Sequence, residues 1–194
     1  MKRLYILIAL AVALAVANAS VFVYYQLNLT LTASQPAVYF VAGNNAGQPD
    51  VMYGAGNTID VTIDSAGAQA WITVHPTYQK TYYKDVLRIV NQDSQAYTVW
   101  LIIDDAINVG VNLTSAKLYV KDVNGNPVNT VDLSQTTSTP IQIGQISGRA
   151  TWRIDLEFQI TGYGAKGSPS QAPKLSDTSA SLRLVYSPSS ETPP

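Results

Sequence analysis

The stretch SVFVYYQLNLTLT, residues 20–32, alternates between apolar and polar side chains along most of its length. Its odd positions are Val21, Val23, Tyr25, Leu27, Leu29 and Leu31. From residue 26 onward its even positions are Gln26, Asn28, Thr30 and Thr32. A period of two places each set on its own side of an extended chain, so the stretch reads as a long β-strand with one apolar face. At about 3.3 Å per residue it reaches roughly 40 Å, beyond the usual strand length. Six apolar side chains in a row along one face invite aggregation if left in water. The strand therefore has to be received by a sheet, its own or a neighbour's.

The residues before it set the compartment. Lys2 and Arg3 form a short basic start, residues 4–16 are an unbroken apolar run, and Ala17-Asn18-Ala19 closes it with small residues at both ends of the triplet. That is the pattern of a secretory signal peptide. Thirteen helical residues span about 20 Å, short of the roughly 30 Å of a bilayer's hydrocarbon core. Cleavage after Ala19 leaves 175 of the 194 residues, with no stable membrane anchor in the mature form. A type IV pilin is cut before its apolar helix and keeps it; here the small-residue site follows the apolar run.

Downstream of Gln35-Pro36 the chain reads as all-β. Apolar-alternating runs at 37–41, 58–64, 70–74, 85–91, 97–103, 116–123, 128–133, 141–146, 150–161 and 181–186 are separated by turn residues. The separators include Gly43-Asn44-Asn45-Ala46-Gly47, Asn91-Gln92-Asp93-Ser94 and Asn124-Gly125-Asn126-Pro127. Asn124-Gly125 between two such runs predicts a hairpin. The expected fold is a jelly-roll-like or immunoglobulin-like β-sandwich of about ten strands. Trp71, Trp100 and Trp152 all fall within strands and are expected to anchor the core. The organisation is a cleaved signal (1–19), the N-terminal strand (20–33), the sandwich (34–187) and a flexible tail (188–194). Residues 162–180, rich in Gly, Ser, Pro and Ala, read as a long surface loop.

Composition narrows the function. There is no cysteine and one histidine, which excludes disulfide scaffolds, thiolate-held metals and cysteine nucleophiles. Twelve basic against 13 acidic side chains give a formal charge of −1, without the basic excess of a nucleic-acid binder. Charged residues make up 13 % of the chain, about half the usual share, while 46 % are hydrophobic. The surface is therefore solvated largely by hydroxyls and amides, as in many secreted β-proteins. Asn28-Leu29-Thr30 and Asn112-Leu113-Thr114 are N-glycosylation sequons; Asn28 falls on the polar face of the first strand.

The candidates for chemistry are few. In Thr151–Phe158, alternation sets Arg153, Asp155 and Glu157 on one face, with Trp152, Ile154, Leu156 and Phe158 on the other. Two carboxylates about 7 Å apart are within glycosidase range. Arg153 beside Asp155 holds it ionised, however, so a solvated charge ladder is the expected role. Asp104-Asp105 resembles a fragment of a calcium site, but adjacent strand residues point to opposite sides. His75 has no second histidine with which to build an imidazole metal site, and no G-x-S-x-G elbow supplies a serine nucleophile. The expectation is a non-enzyme with no cofactor and no metal.

This order of features resembles the archaeal bundling pilins, and the biofilm-fibre subunits of the TasA/camelysin type. The resembling parts are the leader ending in Ala17-Asn18-Ala19, the strand 21–32, the run Lys84-Asp85-Val86-Leu87-Arg88-Ile89-Val90-Asn91 leading into residues 97–104, and the long strand 152–160. The chain departs from the bacterial members in its low lysine content and shorter insertions, so affinity for their partner proteins does not carry over. The resemblance implies that a jelly-roll domain gives its N-terminal strand to the next subunit. The donated face is then Val21, Val23, Tyr25, Leu27, Leu29 and Leu31, and the partner is a second copy, joined head to tail in a filament at the cell surface. Neighbouring filaments in bundles are further partners; nucleic acid is not. Two other readings are a monomeric carbohydrate-binding or adhesive sandwich using Tyr78, Tyr82 and Tyr83 as a stacking surface, and an S-layer-associated protein. A secreted hydrolase using Asp155 and Glu157 is the enzymatic alternative.

Overall fold

A computed structural model describes residues 2–17, 25–32, 34–50, 58–76, 80–110, 112–161 and 178–194. It divides into two units, Met1–Ser34 and Gln35–Pro194. The first holds helix α1, Lys2–Ala17, and residues 25–32, which belong to no helix or strand. No helix among the described residues is long and apolar enough to cross a membrane.

The second unit is an all-β sandwich of ten strands: β1 Val38–Ala42, β2 Asp60–Ile63, β3 Ala70–Thr73, β4 Lys80–Asn91, β5 Tyr97–Asp105, β6 Leu113–Asp122, β7 Pro127–Asp132, β8 Ile141–Ile146, β9 Thr151–Ile160 and β10 Ser181–Ser187. Each coincides with one of the apolar-alternating runs of the sequence. All pairings are antiparallel. One sheet runs β1-β4-β9-β6-β7, a second β10-β5-β8, and β2-β3 form a separate hairpin. A single apolar cluster joins them: Ile154, Leu156 and Phe158 from β9, Leu118 and Val120 from β6, and Val99, Leu101 and Ile103 from β5. Val61, Ile63 and Ile72 of the hairpin pack against the same cluster. Asn124 and Gly125 connect β6 to β7 as the sequence predicts, with Gly125 at φ +94°, where a side chain would be strained.

Two expectations change. Trp100 and Trp152 are buried, but Trp71 is 56 % exposed. The hairpin has only one face on the core, taken by Ala70 and Ile72, and Trp71 lies on the other. The second change is in β4, which begins at Lys80 and not at residue 85. A register shift between Tyr83 and Leu87 hides the continuity of the strand from a simple period-two reading. At its centre Asp85 adopts φ +50°. The backbone amides of Gly43 and Asn45 donate to the carbonyls of Val86 (3.0 Å) and Asp85 (3.1 Å), so the loop after β1 clasps the bulge.

Gly43 is small because of this clasp. A Cβ placed there would lie 2.0 Å from the Asp85 carbonyl oxygen. Gly43→Ala should therefore cost about 1–3 kcal/mol, the range for overpacking a rigid contact, read as a lowered urea midpoint with unchanged slope.

Candidate functional site: an unpaired apolar segment and an open sheet edge

Tyr25, Leu27, Leu29 and Leu31 are 75–91 % exposed, and residues 25–32 carry no strand pairing. The sequence predicts a β-strand here; in the single chain the described part is not one. The physical reason is that a strand exists only through a partner that takes up its backbone donors and acceptors. Gln26 donates from its side-chain amide to Asn28 Oδ1 at 3.0 Å, a local contact between polar positions. Val21 and Val23 lie outside the described residues.

Among the described residues the five- and three-stranded sheets have four edges, and three are obstructed. On β1, the outward amide of Phe40 donates to the carbonyl of Gly67 at 2.7 Å. The edges β7 and β8 are tied together: the Asn129 amide of β7 donates to the carbonyls of Gln142 (2.9 Å) and Ile143 (3.2 Å) in β8. The fourth edge is the outer side of β10, which has no strand partner among the described residues.

The side chains beside that edge are also incompletely covered. In register, Leu182 faces Ile103, Leu184 faces Leu101, and Tyr186 faces Val99. The β5 members of these pairs are at most 3 % exposed, whereas the β10 members are only half-buried. Among the described residues the core is thus closed over β5 and only half-covered along β10. Tyr186 accepts the Ala37 amide at 3.1 Å and packs edge-on against Tyr97, which fixes the end of the open strand. Nothing in the local sequence distinguishes 181–187 from the other strands; only the sheet order exposes it.

The sequons lie apart from each other. Asn28 is exposed; Asn112 is half-buried at the start of β6, its carbonyl accepting the Thr161 amide at 2.7 Å. Thr114 of the second sequon donates its hydroxyl to the Gln159 carbonyl at 3.1 Å.

The carboxylates are placed otherwise than as a solvated ladder. Asp155 is fully buried and Glu157 nearly so, because β9 lies at the centre of the five-stranded sheet and its outward face is roofed by long side chains. Asp155 Oδ2 accepts from the Tyr82 hydroxyl (2.5 Å), Lys121 Nζ (3.1 Å) and Arg153 Nη2 (3.2 Å); Oδ1 accepts the backbone amide of Asp85 (2.7 Å). Burial pushes its pKa up, but these four donors outweigh that and hold the carboxyl below its ordinary value. The amide it accepts is the one the β4 bulge frees from the ladder, so Asp155 closes the bulge from below. Glu157 pairs with Lys80 at 2.8 Å, and Asp104 with Arg183 at 2.8 Å.

His75, Tyr83 and Asp50 form a further cluster that the sequence did not bring together. Asp50 accepts from the His75 backbone amide (2.7 Å) and the Tyr83 hydroxyl (2.9 Å), with His75 Nδ1 at 3.1 Å. Burial is the main reason the Tyr83 phenol is raised well above its usual range. Tyr82 and Tyr83 point to opposite faces of β4, so they form no common stacking surface, and Tyr78 lies outside the described residues. Among the described residues no group of three or more His, Asp or Glu side chains is placed to hold a metal ion.

No protein-family model matches the chain. No curated protein matches it either.

Proposed function

We propose that this chain is the structural, non-enzymatic subunit of an extracellular filament, exported by its leader and polymerised by strand donation. Residues 21–31 of one mature subunit add to the open edge of β10 in the next, in the manner of the archaeal bundling pilins it resembles. The filament serves adhesion, bundling or a biofilm matrix. The observation that carries this reading is the match between a donor and an acceptor within one sequence. Tyr25 to Leu31 offers seven residues with alternate apolar side chains largely in solvent; β10 offers a seven-residue edge with half-covered Leu182, Leu184 and Tyr186 beside it.

An added strand supplies ladder hydrogen bonds through its backbone and fills adjacent apolar pockets with every second side chain. Donor and acceptor are different surfaces, so the contact is heterologous and propagates as an open fibre instead of closing into a dimer. Asn28, on the polar side, keeps any glycan away from the core. The engagement of both Asp155 oxygens by four donors and the pairing of Glu157 with Lys80 fit structural roles for these carboxylates.

Electron microscopy of residues 20–194 beside residues 34–194 tests the proposal. The longer chain should form filaments and the shorter one should remain monomeric. Compact monomers from the longer chain would overturn it.

A further inference from the structure

The outer face of the five-stranded sheet carries an ordered set of charges. Cross-strand register places Arg88, Arg153 and Lys121 side by side on β4, β9 and β6. Glu157 lies between Tyr82 and Lys117, and Tyr119 is opposite Asp155. Adjacent strands are about 4.8 Å apart, so three cations in one row repel unless something lies between them. The acids that relieve this repulsion are Asp155 and Asp85, the latter held by Arg88 at 2.6 and 2.8 Å.

The acids lie beneath and the cations above. Side-chain exposure is 0 % for Asp155 and 10 % for both Asp85 and Glu157, against 61 % for Lys80, 29 % for Arg88, 21 % for Lys121 and 15 % for Arg153. With Lys84 at the bulge, six of the chain's 12 Lys and Arg side chains belong to this face. Lys121 Nζ also lies 5.2 and 5.7 Å from the ring centres of Tyr82 and Tyr119, so cations and phenol rings form one surface.

At one end the face dips into a cavity of about 330 Å3, where Lys84, Arg88 and Arg153 stand with Asn44, Asn45 and Thr151 around the carboxylate of Asp85, which takes up Nε and one Nη of Arg88. Arg153 Nε is buried without a hydrogen-bond partner, the one such side-chain atom among the described residues. A buried donor left unmatched is costly, and a guanidinium is matched best by a planar carboxylate.

We propose that this face binds an acidic polysaccharide, a uronate polymer, with a carboxylate seated in the cavity between Lys84, Arg88 and Arg153. The asparagine amides and the Thr151 hydroxyl suit sugar hydroxyls, and Tyr82 and Tyr119 offer ring faces to pyranose C–H groups. The inference does not depend on polymerisation, since every residue in it belongs to the sandwich.

The test is titration of the full chain with alginate oligosaccharides, and in parallel with dextran, polyglutamate and single-stranded DNA. Alginate should bind, and its binding should weaken as salt rises through about 0.15 M, where the Debye length falls to about 8 Å. Dextran, which lacks the charge-assisted hydrogen bond, and polyglutamate and DNA, which lack the pyranose ring and its hydroxyls, should each bind at least about tenfold more weakly. Lys84→Gln and Arg153→Gln should each lower alginate affinity by a similar factor. Lys84 is exposed and does not touch Asp155, so Lys84→Gln decides the matter if Arg153→Gln fails to fold. No alginate binding, equal binding of any of the three controls, or parental affinity in Lys84→Gln would overturn the proposal.

Discussion

Asp155→Ala is expected to lower the stability of the sandwich by about 3–5 kcal/mol, the cost of removing one partner from a buried ionic network. The loss has three sources. Lys121 and Arg153 are left as like charges on neighbouring strands, the Tyr82 hydroxyl loses its 2.5 Å acceptor, and the Asp85 amide, freed from the ladder by the bulge, loses its 2.7 Å acceptor. Denaturant unfolding at neutral pH measures it. The pH dependence gives a second check. Burial raises the Asp155 pKa, the four donors lower it further than that, and the net folded value lies below the ordinary one; Asp85 is lowered mainly by its hydrogen bonds from Arg88. A depressed carboxyl stabilises the fold fully above its unfolded pKa of about 3.9, and that contribution is lost as pH falls through the folded value. Acid unfolding should therefore set in below about pH 4, and Asp155→Ala should flatten that limb of the stability curve. An Asp155→Ala chain as stable as the parent would show that the network is incidental to the fold.

Leu27→Asp combined with Leu29→Asp is expected to abolish filaments while leaving the melting temperature of the sandwich unchanged. Both leucines are almost fully exposed in the single chain, so the substitutions remove no contact within it. On strand donation each leucine contributes about 1.5–3 kcal/mol of apolar burial, so losing both weakens the junction by about 3–6 kcal/mol. That is roughly a 10²- to 10⁴-fold fall in association constant, before the cost of burying two carboxylates. The acceptor should still work. Val185→Pro gives the complementary defect, because proline removes a backbone donor and distorts the edge strand. Each variant alone should give no fibres, and a mixture should stop at a donor–acceptor pair of two chains, visible by light scattering. Normal fibres from the Leu27→Asp, Leu29→Asp chain would sink the strand-donation reading.

The strands were legible because each buries one face. Period-two alternation follows from that burial, and all ten runs read from the residues coincide with strands of the sandwich. Asn124-Gly125 was legible because a two-residue hairpin turn demands positive φ. Trp71 was misread since alternation gives two faces without saying which is covered; in a two-stranded hairpin the outward one stays in water. Asp155 was misread for the converse reason. A charged residue on the outward face of an edge strand is solvated, but β9 is central, and neighbours on both sides reach over it. The cluster of Asp50, His75 and Tyr83 had no sequence signal, because its members come from separate segments joined only by folding.

By itself, then, the sequence determined the all-β class, the number and limits of most strands, and the apolar stripe Tyr25-Leu27-Leu29-Leu31 that has no partner within residues 25–32. Those properties depend on local periodicity and turn chemistry, which a linear chain carries in full. Tertiary structure decided which edge lacks a strand partner among the described residues, which carboxylates are buried, and which cations share a face. These depend on the order in which strands pair, and pairing order is set by the packing of the whole core, beyond the reach of any single segment.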